Sequence, residues 1–420
     1  MRNGRTRKTK KGGAYIAEGT YGCVFGDPPL PCKGEASRHS NDEVSKLIDK
    51  SEMKSEVKSA ERFKVIDPTN QYFLTPLSTC ELDKTAVSRS NQTRRCNKYA
   101  SRMHMVFYKK GGVALHTVPL TPADYVPFLK SLKNLLKGLE VAHSHHLYHM
   151  DIKPPNIVTL KEADGSYTTR FIDFGLSLVG GKPMSSVYKA PYKYFPADLY
   201  FYDQDAGSYA RDADGQHTAA HIALAKTVLK GRYTTLRHLS ASIPSLLFYN
   251  YKYNPEKENQ LLDYIYTIRH RHATKFRETL TAGTDIYALG LAIAEIIFRL
   301  FGHSPMGGRF TEGMVKDYWK DNTYLDELDA SPYQTWALEL MDEVTMPIYQ
   351  LVAEMTSMDP AVRLKLSSFI TRYEALFPAM ERLCSEANIQ RFASNTIDKF
   401  DRQFSGKRTP TVKLPPLSAV

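Results

Sequence analysis

The chain has 420 residues, 42% hydrophobic and 24% charged, an ordinary balance for a globular protein with a sizeable core, so disorder can dominate only locally. Its longest apolar run, Ile286 to Phe301, is interrupted by Glu295 and Arg299, which excludes a bilayer span and leaves a buried helix. Of the formal charge of +11, six positive charges come from Arg2, Arg5, Arg7, Lys8, Lys10 and Lys11, so the body is only mildly basic.

Residues 1–14 read as a basic disordered tail, because these charges with Gly4, Gly12 and Gly13 cannot bury apolar surface. Such a tail attracts nucleic acid, acidic lipid or an acidic partner nonspecifically, or merely solvates the chain. Met1 to Gly13 is polar throughout and carries no signal-peptide pattern, so an intracellular, cytoplasmic location in a reducing compartment is expected. Cys23, Cys32, Cys80, Cys96 and Cys384 are odd in number and irregularly spaced, with no C-x-x-C pair. Neither a disulfide framework nor a zinc site is indicated, and a metal site joining Cys32, Cys80 and Cys96 is outweighed by free thiols.

Tyr15-Ile16-Ala17-Glu18-Gly19-Thr20-Tyr21-Gly22-Cys23-Val24-Phe25 reads as a strand, a glycine turn and a second strand. The prolines of Asp27 to Cys32 break strand pairing and predict a loop. Glu43 to Ile48 alternates like a strand and contains Lys46. The run from Ser51 to Val65 predicts a helix on which Glu56 shares a face with Ala60 and Phe63, with Glu61 as its competitor. Asp67 to Gln92 is turn-rich, Arg102 to Tyr108 reads as a strand, and Ala123 to His146 repeats apolar residues at helical spacing. His143, His145, His146 and His149 invite a metal, but no carboxylate or cysteine completes the set.

Two motifs organise the chain: Tyr148-His149-Met150-Asp151-Ile152-Lys153-Pro154-Pro155-Asn156-Ile157, then Phe171-Ile172-Asp173-Phe174-Gly175. Moving a γ-phosphoryl group onto a hydroxyl needs a carboxylate to orient and deprotonate the acceptor and oxygen ligands for magnesium. Asp151 suits the first role, Asn156 and Asp173 the second. With the spacing H-x-D-x-x-x-x-N followed by D-F-G, the chain resembles the eukaryotic protein-kinase superfamily at these residues. Asp, Asn and Gly also populate ordinary turns, yet both motifs in order, each behind an apolar strand-like run, make chance the poorer account.

The resemblance implies an α+β, bilobal protein-kinase fold over residues 15–380, with a small β-rich N-lobe over about 15–110 and a larger helical C-lobe over about 111–380. An insertion over about 200–281, with helices at Ala219 to Leu229 and Gln260 to Phe276, and a flexible tail over 381–420 complete this outline. Also implied are ATP and Mg²⁺ as cofactors, a protein substrate, and serine/threonine specificity from Lys153, two places after Asp151. Ile16 to Val24 would form the glycine-rich loop over the phosphates, departing from the pattern at Ala17 where kinases have the first glycine. Val24 would lie on the adenine face, Lys46 would contact the α- and β-phosphates with Glu56 or Glu61 as partner, and Val106 would line the rear of the pocket.

Further along, Leu176 to Pro196 would be a mobile activation segment, with Asp198 replacing the glutamate that pairs with a late arginine, here Arg363. Asp285 would open the central helix and tie back to the catalytic loop. Met150 stands where regulated kinases carry arginine, implying activity independent of phosphate on Ser185, Ser186 or Tyr188. The stretches E-G-T-Y-G-C-V-F and P-P-L-P-C look like those of kinases of large nucleocytoplasmic DNA viruses, which would act in the host cytoplasm or the virion. Three alternatives remain: a pseudokinase scaffold of the same fold, disfavoured because Lys46, Asp151, Asn156 and Asp173 are all present; a small-molecule kinase of related fold, disfavoured by Asp198, Asp285 and Arg363; and a tyrosine kinase, disfavoured by Lys153.

Overall fold

The computed structural model describes residues 14–18, 22–27, 29–34, 40, 42–83, 103–182, 192, 194–202, 211–238, 255–301, 336, 339–357 and 360–390. The expectations for the basic tail, for Gly19, Thr20, Tyr21, Cys96, Ser185, Ser186 and Tyr188, and for everything beyond residue 390 lie outside these residues. Helices and strands are mixed, in line with an α+β class. The chain divides into two compact units, Met1–Gly112 with Ile172–Leu176, and Val113–Phe171 with Ser177–Val420.

The first unit is built on a five-stranded antiparallel sheet in the order β1-β2-β3-β5-β4. Its strands are β1 (Ala14–Glu18), β2 (Gly22–Gly26), β3 (Glu43–Asp49), β4 (Ser78–Glu81) and β5 (Met103–Lys109). Alternation along the strands sorts side chains onto two faces. On one face Val44 and Ile48 of β3 and Val106 and Tyr108 of β5 meet Met53 and Val57 of helix α1 (Lys50–Ile66). The opposite face, with Cys23, Phe25, Leu47, Met105 and Phe107, is covered by Leu30, Cys32 and Leu82. The proline-rich connection therefore packs on the sheet rather than standing free: the Leu30 N–H donates to Ser45 Oγ at 2.9 Å.

Helix α1 starts at the N-cap Asp49, whose carboxylate accepts the Ser51 N–H, and buries the stripe Met53, Glu56, Ala60 and Phe63. Its end is fixed by buried Asp67, whose carboxylate accepts the N–H groups of Gln71, Tyr72 and Phe73 at 2.7–2.9 Å. These bonds set Phe73 beside Phe63, with ring centroids 4.8 Å apart.

The second unit places β6 (Val113–Ala114) beside the hairpin of β8 (Ile157–Lys161) and β9 (Tyr167–Phe171), and pairs β7 (Leu147–Tyr148) with β10 (Leu178–Val179). Its helices include α2 (Tyr125–Ser131), α3 (Lys133–Ser144), α4 (Ala219–His238), α5 (Pro255–Ile268) and α6 (Ala273–Phe301). The single helix expected from 123 to 146 is thus two, because at Leu132 the N–H turns to Leu129 and the Ser131 hydroxyl donates back to the Phe128 carbonyl. Gly290 of α6 lets the following helix Met346–Met355 approach closely, since a Cβ there would meet Met355 Cβ at 3.0 Å. Among the described residues no helix is long and apolar enough to cross a membrane.

Three boundaries differ from expectation. The helix expected over Gln260 to Phe276 breaks between α5 and α6, and α6 then runs unbroken across position 281, so Asp285 lies inside a 29-residue helix rather than at its start. Residues 381–390, expected to open a flexible tail, bury Leu383, Cys384 and Ile389. Cys32 and Cys80 form a disulfide, and Cys23 is disulfide-bonded as well, contrary to the expectation of free thiols. Sequence spacing hid the first link, because a bridge between Cys32 and Leu82 lays the connection along β4 and brings together residues 48 positions apart.

Closing a loop of 48 residues restricts the unfolded chain by about 4 kcal/mol in the chain-entropy account. Replacing Cys32 and Cys80 by serine should therefore lower the denaturant midpoint clearly and, because the unlinked unfolded chain exposes more surface, steepen rather than flatten the transition's slope. An unchanged midpoint would show that the link contributes nothing to stability.

Candidate active site

The charged centre of the first unit is Lys46. Register aligns Ala17, Val24, Lys46, Val106 and Thr79 in one cross-strand row, and α1 covers the face on which Lys46 lies. Its Nζ donates to both oxygens of Glu56, at 2.9 and 2.7 Å, and lies 3.6 Å from Asp173 Oδ1. Burial pulls the Lys46 pKa down, but the charges and hydrogen bonds of Glu56 and Asp173 outweigh it and leave the value raised. Glu61, the competing partner, is exposed.

A contact the sequence did not indicate is made by Tyr108, which donates its hydroxyl to Glu56 Oε1. Burial and then the Glu56 carboxylate push the Tyr108 pKa well up, keeping that hydroxyl a donor. The signal was available in the alternation of β5, which puts Tyr108 on the same face as Val106. Asp173 takes a left-handed backbone conformation, φ 68°, and the neighbouring Phe174 stacks 4.7 Å from Phe63 of α1. At the start of β2, Gly22 is required sterically: a Cβ would stand 2.2 Å from the carbonyl oxygen of Leu47 on β3.

In the second unit the loop from His149 to Asn156 joins β7 to β8. Asp285 of α6, fully buried, accepts the His149 and Met150 N–H groups at 2.7 Å each, and His143 Nε2 lies 3.3 Å from the same carboxylate. Met150 is held at φ 63°, and buried His149 accepts the Asp151 N–H on Nδ1 at 3.3 Å. His143 and His149 thus serve the loop, and no metal-holding cluster of His, Cys, Asp or Glu exists among the described residues.

Asp151 is the hub of this loop. Lys153 Nζ bridges both carboxylate oxygens at 3.0 and 2.9 Å. Asn156 Nδ2 donates to Asp151 Oδ2 at 2.7 Å and to its backbone carbonyl at 2.9 Å. With its amide nitrogen committed, Asn156 has Oδ1 as its candidate cation ligand. Asp173 likewise offers carboxylate oxygens, and such hard donors suit magnesium. A second residue outside the sequence motifs, Tyr192, places its hydroxyl 3.3 Å from Asp151 Oδ1.

Asp198 and Arg363 are both fully buried and joined through two hydrogen bonds. Tyr264 of α5 shares the guanidinium, its hydroxyl 3.0 Å from Nη2. Burial lowers the Arg363 pKa, but the adjoining Asp198 charge leads the opposing effects and the net direction is upward. Gly283 of α6 makes room, since a Cβ there would come within 2.6 Å of Nη2.

No protein-family profile matches the chain. Over 60 residues it is 35% identical to serine/threonine-protein kinase DCLK1 of Rattus norvegicus, covering 14% of each chain. Over 84 residues it is 36% identical to probable serine/threonine-protein kinase FPV226 of Fowlpox virus (strain NVSL), covering 19% of this chain and 27% of that one. The chain thus spans less than a third of either relative. These short likenesses point to the kinase superfamily and to its serine/threonine members.

Two stability measurements test the geometry. Glu56→Ala leaves the Lys46 ammonium, 15% exposed, without its bidentate partner and should cost about 2–4 kcal/mol, whereas Glu61→Ala should stay within about 0.5 kcal/mol. Equal effects in urea unfolding would sink the assignment of Glu56. Arg363→Ala strands a buried carboxylate and should cost about 3–5 kcal/mol; an unshifted melting temperature would contradict the pair.

Proposed function

We propose that the protein is a serine/threonine protein kinase of bilobal fold, transferring the γ-phosphoryl group of ATP to a protein hydroxyl. The observation that carries this reading is the Asp151 carboxylate gripped by Lys153 and Asn156 within five residues of chain. In the transfer, the acceptor oxygen forms a bond to the γ-phosphorus as the bond to the β,γ-bridging oxygen breaks and ADP leaves. Asp151 orients the acceptor hydroxyl and takes its proton, which passes to solvent afterwards. Lys153 compensates charge beside the carboxylate and the transferring group. Lys46, held by Glu56, would contact the α- and β-phosphates; Ile16 to Val24 would close over them, with Val24 and Val106 against the adenine.

Asn156 and Asp173 would hold Mg²⁺, which when bound neutralises charge on the phosphates. The reading extends to the kinases of large nucleocytoplasmic DNA viruses, supported by the Pro-Pro-Leu-Pro-Cys stretch and the partial likeness to the fowlpox virus protein. The host cytoplasm or the virion would then be the place of action.

Radiolabelled ATP with a panel of proteins, followed by phospho-amino-acid analysis, tests this. Asp151→Asn, Asp173→Ala and Lys46→Met should each lower transfer by at least about 100-fold while melting curves stay cooperative. Undiminished phosphorylation by a folded Asp151→Asn protein would refute the assignment, and absence of transfer by the wild type would favour the scaffold alternative.

A further inference from the structure

The Asp151 carboxylate receives its hydrogen bonds from two sources. Lys153 and Asn156 belong to its own loop and reach it at 2.7–3.0 Å. Tyr192 comes from a distant segment and reaches Oδ1 at 3.3 Å, the longest of these contacts. Its ring packs 5.4 Å from Tyr194 and 4.9 Å from Phe195, and Lys153 Nζ lies 5.8 Å from its centroid.

We propose that the Tyr192 hydroxyl occupies the acceptor position of Asp151, so that a substrate hydroxyl must displace it before transfer. This rests on the phosphoryl-transfer reading. A hydroxyl donating to the carboxylate is what an acceptor serine or threonine has to supply. Lys153 already engages both oxygens and Asn156 engages Oδ2, so Oδ1 is the side on which an acceptor competes, and Tyr192 is there. Of the three side chains named on this carboxylate, Tyr192 is also the one that does not belong to the loop itself. Burial, and then the Asp151 charge, raise its pKa, so the hydroxyl stays protonated and donating at physiological pH.

The test uses the full chain with Mg-ATP and a degenerate serine/threonine peptide library, then the best peptide from it. Tyr192→Phe keeps the ring and removes only the hydroxyl. It should lower KM for the peptide about three- to tenfold, as expected for losing one competing hydrogen bond, with kcat and KM for ATP unchanged. Tyr192→Leu, checked for a cooperative melt, should move peptide KM in the same direction.

A fall in kcat at constant KM would make Tyr192 a positioning residue instead. Unchanged constants, or phosphate on Tyr192 itself by mass spectrometry, would also overturn the proposal. Transfer by the wild type that is lost in Asp151→Asn but indifferent to Tyr192→Phe removes this inference and leaves the kinase reading standing. No transfer by any form removes both.

Discussion

The buried carboxylate of Asp285 is the constraint on which the loop around Asp151 depends. Met150 sits at φ 63°, a left-handed conformation that costs a non-glycine residue about 1–2 kcal/mol. The cost is met by two N–H donors at 2.7 Å on one fully buried anion, and hydrogen bonds to charged groups contribute about 1.5–3 kcal/mol each. The turn at Met150 leads the chain into Asp151, whose own N–H rests on His149. A methionine there fits the physics: 1% exposed, it needs an apolar site rather than a charged partner.

The first unit solves a parallel problem with different parts. Lys46 is a cation largely withdrawn from water, and Glu56 can meet it only if α1 keeps its rotation and distance. Asp49 caps the start of that helix, and Asp67 gathers the chain after its end. Phe63 then packs between Phe73 and Phe174, so the same helix that presents Glu56 also holds the residue next to Asp173. Glu56 and Asp173 are thereby brought to one lysine by a shared aromatic support.

Much of this was legible because periodicity and motif spacing report local order. The stripe Glu56, Ala60, Phe63 follows from 3.6-residue repetition, and β2, β3 and β5 follow from alternation. What stayed hidden depends on register and on long-range closure. Tyr108 reaches Glu56 only once β5 is paired in one register with β3; Cys32 meets Cys80 only after the proline-rich connection lies along β4. Helix limits failed for a related reason: nothing in the pattern from Gln260 onward says that α5 stops at Ile268 while α6 continues to Phe301. Tyr192 carries no periodic or motif signal, and its role emerges only from proximity to Asp151.

The pairing of the short Asp198 side chain with Arg363 depends on residues far away in sequence. Aspartate is one methylene shorter than glutamate, so its carboxylate reaches less far toward a guanidinium. In this chain the guanidinium sits directly against α6, where Gly283 lacks the Cβ that would stand 2.6 Å from Nη2. The Tyr264 hydroxyl takes up Nη2 from the side of α5 at 3.0 Å, and its ring lies 5.2 Å from the guanidinium carbon. Tyr264 lies in the segment expected as an insertion over about 200–281, and Gly283 lies in the helix that follows it. Without Tyr264, a fully buried arginine would be left to Asp198 alone, and the helix carrying Asp285 is the same helix that makes room for it.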